Sequence, residues 1–373
     1  MLEQQEKQEK KVEYIELIYD LIFVYLIGRN NSLMDKIDGG FVTFETFFTY
    51  LLTSLIILQI WYQTSLFINR YGENGLSEKL MLLINMFLLY IMGTSTVNDW
   101  GVNYAAYIGA WTLVFLNLAV QYALKLRKAE NPDTVAHIRQ NVVLLAAQAA
   151  VAWATVPIYF ATGYAFGPWA MVLGYAAAPF LKKVPVNFAH LTERVMLYVV
   201  FSFGEMVISV AGYFTGGFNW ETLYFGLMSF LIVAGLFFSY GHYYDRLLNR
   251  EEAKHPHSYM FLHIFLILCL TNITNALDFM REPEVASLPK NCFMIFSMLG
   301  YFVCLAMTEH WSYRRIVNRT GFVLALGAEF AVFVVLMLLT IHAQHLGIAV
   351  TAALIYSQLF TLLRADSATE ERT

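Results

Sequence analysis

Charged residues are scarce in this chain. They make up 14% of its 373 residues, and 58% of the residues are hydrophobic, whereas roughly 25% of a soluble domain is charged. This composition argues against a water-soluble core of such a length. The net charge of −4 indicates no particular partner, and we expect no binding of nucleic acid.

Cysteine is also nearly absent, and familiar catalytic motifs are missing. The three cysteines lack the paired spacing of a disulfide framework or a zinc cluster. No P-loop, His-Glu-x-x-His helix or Gly-x-Ser-x-Gly turn occurs. His190 and Glu193 have a spacing that suits a metal, but two further ligands are not in view. We therefore expect no bound metal and no cofactor.

Long polar segments are lacking as well. The longest gaps between apolar runs, near residues 125–139, 243–257 and 278–289, hold about fifteen residues or fewer. No soluble domain fits there. Residues 1–12 are polar, without the cleavage site of a signal peptide. We expect residues 1–12 and 364–373 to be short cytoplasmic segments on either side of one transmembrane domain, residues 13–363.

What the chain has instead is a series of apolar runs, each about as long as the roughly 20 residues that a spanning helix needs. The sequence predicts an all-α integral membrane protein with about twelve transmembrane helices, near residues 13–31, 43–67, 79–97, 103–124, 140–160, 164–182, 193–214, 220–242, 258–277, 290–309, 319–341 and 346–363.

The Lys and Arg residues predict the orientation of these helices. If the N-terminus is cytoplasmic, twenty of the twenty-four Lys and Arg residues fall in inner segments, and only Arg29, Lys36, Arg281 and Lys290 fall outside. Cytoplasmic loops show this excess of positive charge. We therefore expect a multi-pass protein of the plasma membrane with both termini in the cytoplasm.

A weak internal similarity occurs at an offset of 180 residues. It aligns Asn69-Arg70 with Asn249-Arg250, and Arg139 with Arg319. It suggests two parallel six-helix repeats, residues 13–182 and 193–363, related by an axis along the membrane normal. Evenly spaced helices with cytoplasmic arginines also produce such coincidences, so the repeat stays an open alternative.

The first stretch that carries chemistry lies in the first predicted helix. Glu16 and Asp20 are four residues apart, so they share one helix face. Desolvation and like charge both disfavour ionisation of two acids in this setting. An interior-facing role is one interpretation, and a position at headgroup depth beside the N-terminal lysines is the other. We favour the interior role.

The second stretch begins the seventh predicted helix. His190, Glu193 and Arg194 are three and four residues apart, so all three can meet on one face. Glu205 lies eleven residues beyond Arg194, about 16 Å farther along the helix. An acid near the membrane centre usually faces a partner or a water-filled cavity.

These two stretches resemble the bacterial low-temperature-requirement A (LtrA) family. The resemblance is carried by Glu16-Leu17-Ile18-Tyr19-Asp20-Leu21-Ile22-Phe23-Val24, and by His190-x-x-Glu193-Arg194 with the later Gly204-Glu205. Trp61 with Asn69-Arg70-Tyr71, and Tyr259 to His263, are weaker parts of it. The resemblance implies a multi-pass bacterial membrane protein connected with growth in the cold, without a settled substrate or reaction.

Two further polar residues in predicted helices are candidates. Glu329 is a second deep acid, and it needs a proton or a partner to lie there. His263 is more often a hydrogen-bonded core residue than a ligand. The candidates for binding an ion or substrate are therefore Glu16, Asp20, His190, Glu193, Arg194, Glu205, Glu329 and His263.

Three function classes remain open. The leading one is a proton- or cation-coupled secondary transporter or ion-conducting protein, because short-looped helices and intramembrane carboxylates suit such a carrier. The second is a membrane-embedded enzyme acting on lipid or isoprenoid at the cytoplasmic leaflet, and the third is a sensor or scaffold without turnover. The expected partners are membrane lipids and an unknown small solute or ion, and an oligomer is compatible with the sequence.

Overall fold

The computed structural model describes residues 12–97, 100–250, 255–313, 316 and 318–370, and this part is almost entirely helical. The strands β1 (Ile37–Asp38) and β2 (Phe41–Val42) pair antiparallel. The α-helices are α1 (Tyr14–Asn31), α2 (Phe44–Tyr71), α3 (Leu76–Val97), α4 (Trp100–Lys125), α5 (Pro132–Ala154), α6 (Val156–Thr162), α7 (Met171–Ala177), α8 (Phe188–Ala211), α9 (Trp220–His242), α10 (Pro256–Arg281), α11 (Ser287–Met307), α12 (Arg319–Leu339) and α13 (Gln344–Glu370).

Ten helical segments of the described chain are long and apolar enough to cross a bilayer. They are α2, α3, α4, α5 with α6, α8, α9, α10, α11, α12 and α13. Their outer surfaces are apolar, and only 11% of the apolar window of α12 is buried. Such a surface suits contact with lipid chains. The prediction of an all-α multi-pass membrane protein is confirmed, while the count of twelve spans and the repeat stay predictions.

The first predicted run, residues 13–31, forms α1 but is not one of these ten segments. Its 18 residues include Glu16, Asp20 and Arg29, and three charges are more than a lipid-exposed span of this length carries. The helix would rise about 27 Å, close to the roughly 30 Å of the hydrocarbon core. Its length therefore permits a crossing if the charges face protein.

The predicted run 164–182 is broken rather than continuous. It contains α7, flanked by the 3-10 turns Gly167–Ala170 and Ala178–Phe180. The seven residues of α7 rise only about 10 Å. Pro168 and Pro179 lie in the two turns and cannot donate a backbone hydrogen bond, which disfavours a regular α-helix.

This broken segment nevertheless returns along the whole length of α5. The beginning of the segment is linked to the C-terminal end of α5 through the hydroxyl of Tyr104. This hydroxyl accepts a hydrogen bond from the Gly167 N–H over 2.8 Å, and it lies 3.3 Å from Oγ1 of Thr155, the residue just after α5. At its end, Lys182 Nζ lies 3.4 Å from a carboxylate oxygen of Asp133, near the start of α5. About 22 residues of helix separate these two points, which corresponds to roughly 33 Å.

Three glutamines hold the interior part of the broken segment. Gln59 Nε2 donates to the carbonyl of Met171 over 2.7 Å. Gln148 Nε2 donates to Gln59 Oε1 over 3.1 Å, and Gln63 Nε2 donates to Gln148 Oε1 over 3.2 Å. The amides therefore replace hydrogen bonds that an uninterrupted helix would form within itself. Gly174 permits this approach, because a Cβ there would lie 2.5–2.8 Å from the three amide nitrogens.

Helix ends extend beyond the predicted runs. The predicted gap 125–139 is mostly helical, since α5 begins at Pro132, and the Asn131 side chain accepts from the Asp133 N–H as an N-cap. The predicted tail is also helical as far as Glu370. The predicted N-terminal segment lies outside the described residues except for Val12, as do residues 371–373. Seven of the Lys and Arg residues predicted to be on the inner side also lie outside the described residues: Lys7, Lys10, Lys11, Lys254, Arg314, Arg315 and Arg372.

The chain divides into two compact units. Unit 1 comprises residues 1–33, 47–198 and 250–257, and unit 2 comprises residues 34–46, 199–249 and 258–373. Within unit 1, α3 packs against α1 and α4, and α5 packs against α4 and the broken segment. Within unit 2, α13 packs against α9 and α12.

Candidate functional site

Two acids of α1 face the interior of unit 1. Glu16 and Asp20 lie one helical turn apart, and their exposed fractions are 1% and 0%. Tyr19 and Phe23, on the same side of the helix, are fully buried as well. Because burial of this degree removes both carboxylates from water, they need partners within the protein.

Arg194 of α8 is the partner of both acids. Its Nη1 donates to Glu16 Oε2 and its Nη2 donates to Asp20 Oδ1, each over 3.1 Å. The arginine is itself 1% exposed. A guanidinium presents several donors in one plane and keeps its charge when buried, so it can bridge the two carboxylates. The four-residue spacing in α1 supplies the two acceptors.

Aromatic groups of α2 and α8 enclose Asp20. Trp61 Nε1 donates to Asp20 Oδ1 over 3.0 Å. The Trp61 ring packs against the Tyr198 ring, with centroids 4.4 Å apart. The Tyr19 hydroxyl lies 3.3 Å from Thr64 Oγ1. Asp20 Oδ1 therefore accepts hydrogen bonds from both Arg194 and Trp61. Asp20 Oδ2 is buried without a hydrogen-bond partner among the described residues.

His190 is held in one tautomer by Asn69. The Asn69 amide is oriented by the backbone of Asn187, because its Nδ2 donates to the Asn187 carbonyl over 2.9 Å and its Oδ1 accepts from the Asn187 N–H over 3.0 Å. Asn69 Nδ2 also lies 3.0 Å from His190 Nδ1. Nδ1 must therefore accept, and the ring proton of the neutral imidazole sits on Nε2. His190 Nε2 lies 3.6 Å from Glu16 Oε2.

We call Glu16, Asp20, His190 and Arg194 the acid–arginine cluster. Three helices build it: the first turns of α1, the C-terminal half of α2 through Trp61 and Asn69, and the first turns of α8. The Asn187 side chain caps α8 by accepting from the His190 N–H over 3.1 Å. This cap places His190 and Arg194 on the face that meets α1.

The other candidate residues of α8 lie outside the cluster. Glu193 is half-buried, and it has no part in the ion pairs of Arg194 among the described residues. Glu205 is also half-buried, and it belongs to unit 2. The structure therefore brings together Glu16, Asp20, His190 and Arg194, and it leaves Glu193 and Glu205 outside the cluster.

The two remaining candidates have local hydrogen bonds in unit 2. Glu329 Oε1 accepts from the Thr361 hydroxyl over 2.6 Å, and Glu329 Oε2 is buried without a hydrogen-bond partner among the described residues. His263 is fully buried, and its Nδ1 lies 2.8 Å from the Tyr259 carbonyl one turn earlier in α10. The Nδ1 proton therefore donates to that carbonyl, as in a hydrogen-bonded core histidine.

Sequence reasoning missed the roles of Trp61 and Asn69. Both appeared only as weak parts of the family resemblance, although Trp61 donates a hydrogen bond to Asp20 and Asn69 donates one to His190. Their separations from Asp20 and His190 are 41 and 121 residues, so no helical periodicity connects them. Among the described residues, no group of three or more His, Cys, Asp or Glu residues is arranged to hold a metal ion.

Comparison with known proteins identifies a family. The sequence model of the protein family described as "Bacterial low temperature requirement A protein (LtrA)" matches residues 11–356. The match includes both stretches that build the acid–arginine cluster. No curated protein and no solved structure matches the chain.

Proposed function

The chain belongs to the bacterial low temperature requirement A family, and the stretches that resemble this family include the residues of the acid–arginine cluster. We propose that the protein is a proton- or cation-coupled secondary transporter of the plasma membrane and that the acid–arginine cluster binds its coupling ion. Family membership and the apolar helices support a membrane protein, and the chemistry of the cluster supports the coupling.

The observation that carries this proposal is the charge of the cluster. Two buried carboxylates share one guanidinium, so full ionisation leaves one negative charge in a poorly solvated interior. An uncompensated buried charge is costly, and a proton or a cation removes the cost.

Asp20 can take that proton. Glu16 Oε2 accepts from Arg194 and faces the Nε2 of His190. Asp20 Oδ1 has its hydrogen bonds from Arg194 and Trp61, whereas Oδ2 has none among the described residues. A neutral carboxyl group with one unpaired oxygen costs less than an ionised one. Asp20 thus binds and releases the proton, and Arg194 moves toward whichever acid is ionised.

The broken segment supports the twelve-crossing topology of this transporter. It connects the two ends of α5 in space, as a crossing segment would, and α1 is long enough to be the twelfth crossing. With twelve crossings both termini are cytoplasmic, in agreement with the distribution of Lys and Arg. Interrupted helices at membrane depth are found where backbone is enclosed by protein, and transporters use them at substrate sites.

The test is proton coupling by purified protein in liposomes. A pH-sensitive dye inside the vesicles reports proton movement while monovalent cations, divalent cations and small metabolites are added outside in turn. We expect one class of solute to drive proton flux in the wild type, and Asp20→Asn to abolish that flux while the protein stays folded.

Glu193→Gln is the matched control, because it removes an acid from the same turn of α8 without touching the ion pairs. It should keep wild-type proton flux. Proton flux of wild-type size in Asp20→Asn would refute the role of Asp20. Solute transport that is indifferent to pH in the wild type would refute proton coupling and leave a cation as the coupling ion, which sodium and potassium gradients then identify.

A further inference from the structure

A second buried polar cluster surrounds Arg70 at the end of α2 in unit 1. Arg70 Nη1 lies 3.1 Å from His137 Nε2 of α5, and Arg70 Nη2 lies 2.9 Å from His257 Nε2 at the start of α10. His137 Nδ1 lies 2.8 Å from the Tyr71 hydroxyl, and His257 Nδ1 lies 2.8 Å from the Tyr62 hydroxyl. These five residues form one chain of hydrogen bonds, which we call the arginine–histidine chain.

The arginine–histidine chain has more donors than acceptors. An arginine only donates, so both Nε2 atoms accept, and both histidines are neutral with their protons on Nδ1. Each Nδ1–H then donates to a tyrosine oxygen, which leaves the two phenolic hydrogens for other acceptors. Arg70 has five N–H donors, of which the histidines take two, and its buried Nε has no hydrogen-bond partner among the described residues.

Arg70 also lacks a carboxylate. In the part of the chain that the structure describes, no Asp or Glu forms an ion pair with it, although two acids lie close by. Glu78 pairs with Lys125, and Glu73 lies 3.4 Å from Lys125 Nζ and 2.8 Å from Lys128 Nζ. These two lysines hold the pKa of Glu73 below its usual range, with the hydrogen bond from Lys128 as the largest cause. The two acids are therefore engaged by the two lysines, and Arg70 has no carboxylate partner among the described residues.

A cavity of about 230 Å³ adjoins Arg70. Its lining includes Arg70 and Tyr71 of the arginine–histidine chain, together with Lys125, Lys128 and Glu73. A half-buried guanidinium with unused donors, beside a cavity that two more cations border, is the environment in which proteins bind phosphate. The neutral histidines orient the guanidinium without adding charge of their own.

We propose that this cavity binds a phosphate group, with Arg70 as its main ligand and the Tyr71 hydroxyl as a second donor. The group belongs either to a lipid headgroup or to free phosphate. The end of α2 and the start of α5 lie on the side that the Lys and Arg distribution assigns to the cytoplasm, where basic pockets between helices recognise anionic headgroups. The site is separate from the acid–arginine cluster, so its binding can be measured without transport.

The test uses full-length protein in nanodiscs and two probes. In the first arm, inorganic phosphate is titrated by calorimetry into protein in phosphatidylcholine nanodiscs. In the second arm, nanodiscs contain phosphatidic acid in phosphatidylcholine, and native mass spectrometry counts the phosphatidic acid that stays bound. We expect binding in at least one arm, and Arg70→Gln should weaken it by about tenfold or more, because a charge-assisted hydrogen bond is lost.

Arg127→Gln is the matched control. Arg127 is exposed in the 3-10 turn between Lys125 and Lys128, so its loss removes the same charge beside the cavity but none of its lining. Should Arg70→Gln fail to fold, Tyr71→Phe tests the second donor, with an expected weakening of a few fold.

Binding of phosphate alone identifies a soluble ligand, and binding of phosphatidic acid alone identifies a lipid. The proposal is overturned if the wild type binds neither probe. It is also overturned if Arg70→Gln binds as tightly as Arg127→Gln or, where only Tyr71→Phe folds, if that variant binds as tightly as the wild type. None of these results bears on proton flux, which tests the proposed function separately.

Discussion

Replacing Arg194 by glutamine should destabilise the protein more than replacing the whole ionic group. Arg194→Gln keeps much of the side-chain volume, but it leaves Glu16 and Asp20 buried without their shared counter-ion. Removing one partner of a buried ion pair costs about 3–5 kcal/mol. The variant that also carries Glu16→Gln and Asp20→Asn has no buried charge left, so it should lose less stability despite having three substitutions.

The pH dependence of this loss follows from the same acids. An acid with an ordinary pKa of about 4 can be protonated at pH 7 at a cost of about 4 kcal/mol, and at pH 5 for about 1.4 kcal/mol. Protonation removes the unpaired charge in Arg194→Gln. The cost of protonation falls by about 2.7 kcal/mol between pH 7 and pH 5. The destabilisation of this variant relative to the wild type should therefore shrink over this range from about 3–5 to roughly 0.3–2.3 kcal/mol. The triple variant should show no such change.

Reversible unfolding in mixed detergent micelles, followed by far-UV circular dichroism at both pH values, measures these differences. Glu193→Gln serves as the control and should change the free energy of unfolding by less than about 0.5 kcal/mol. Equal losses in the single and triple variants would refute the reasoning. So would a loss in Arg194→Gln that does not depend on pH.

Three further predictions concern other parts of the chain. If the protein is the proposed transporter, Glu205→Gln should fold normally and abolish coupled flux in liposomes, because an acid within a membrane-spanning helix usually faces a partner or a water-filled cavity; unchanged flux and pH dependence would show a structural role. Gly174→Ala should lower thermal stability by about 1–3 kcal/mol through overpacking, since its Cβ would clash with three amide nitrogens, whereas Gly327→Ala, with nothing within 4 Å of a Cβ, should not. Reporter fusions after Lys128 and after Thr373 should both indicate the cytoplasm, and a disagreement would contradict twelve crossings.

Helical spacing predicts which residues of the acid–arginine cluster share a face within one helix, but not that the two helices meet. Glu16 with Asp20, and His190 with Arg194, are pairs four residues apart, and burying a charge requires an opposite charge nearby. The same spacing rule admitted Glu193, because a residue three positions from His190 can share its face. Only the direction in which α8 meets α1 excludes it.

The broken segment could not be predicted from hydropathy. Residues 164–182 are apolar enough for a helix, and the amides that bind its backbone carbonyls come from Gln59 and Gln148, which lie on other helices. The arginine–histidine chain was missed for the same reason. Its members lie on α2, α5 and the start of α10; Arg70 and Tyr71 appeared only as weak parts of the family resemblance, and the other three were not singled out.

The sharing of one guanidinium by two acids has a consequence for energetics. If the protein is the proposed transporter and its cluster carries one proton per cycle, the driving force has a ceiling. A membrane potential of 100 mV supplies about 2.3 kcal/mol per charge, and a gradient of one pH unit supplies about 1.4 kcal/mol. With a neutral cargo, the stoichiometry of one limits accumulation to about 500-fold, since each 1.4 kcal/mol is worth a factor of ten. In the proposed transporter, the ratio of acids to arginine in the cluster would thus set the charge moved in each cycle.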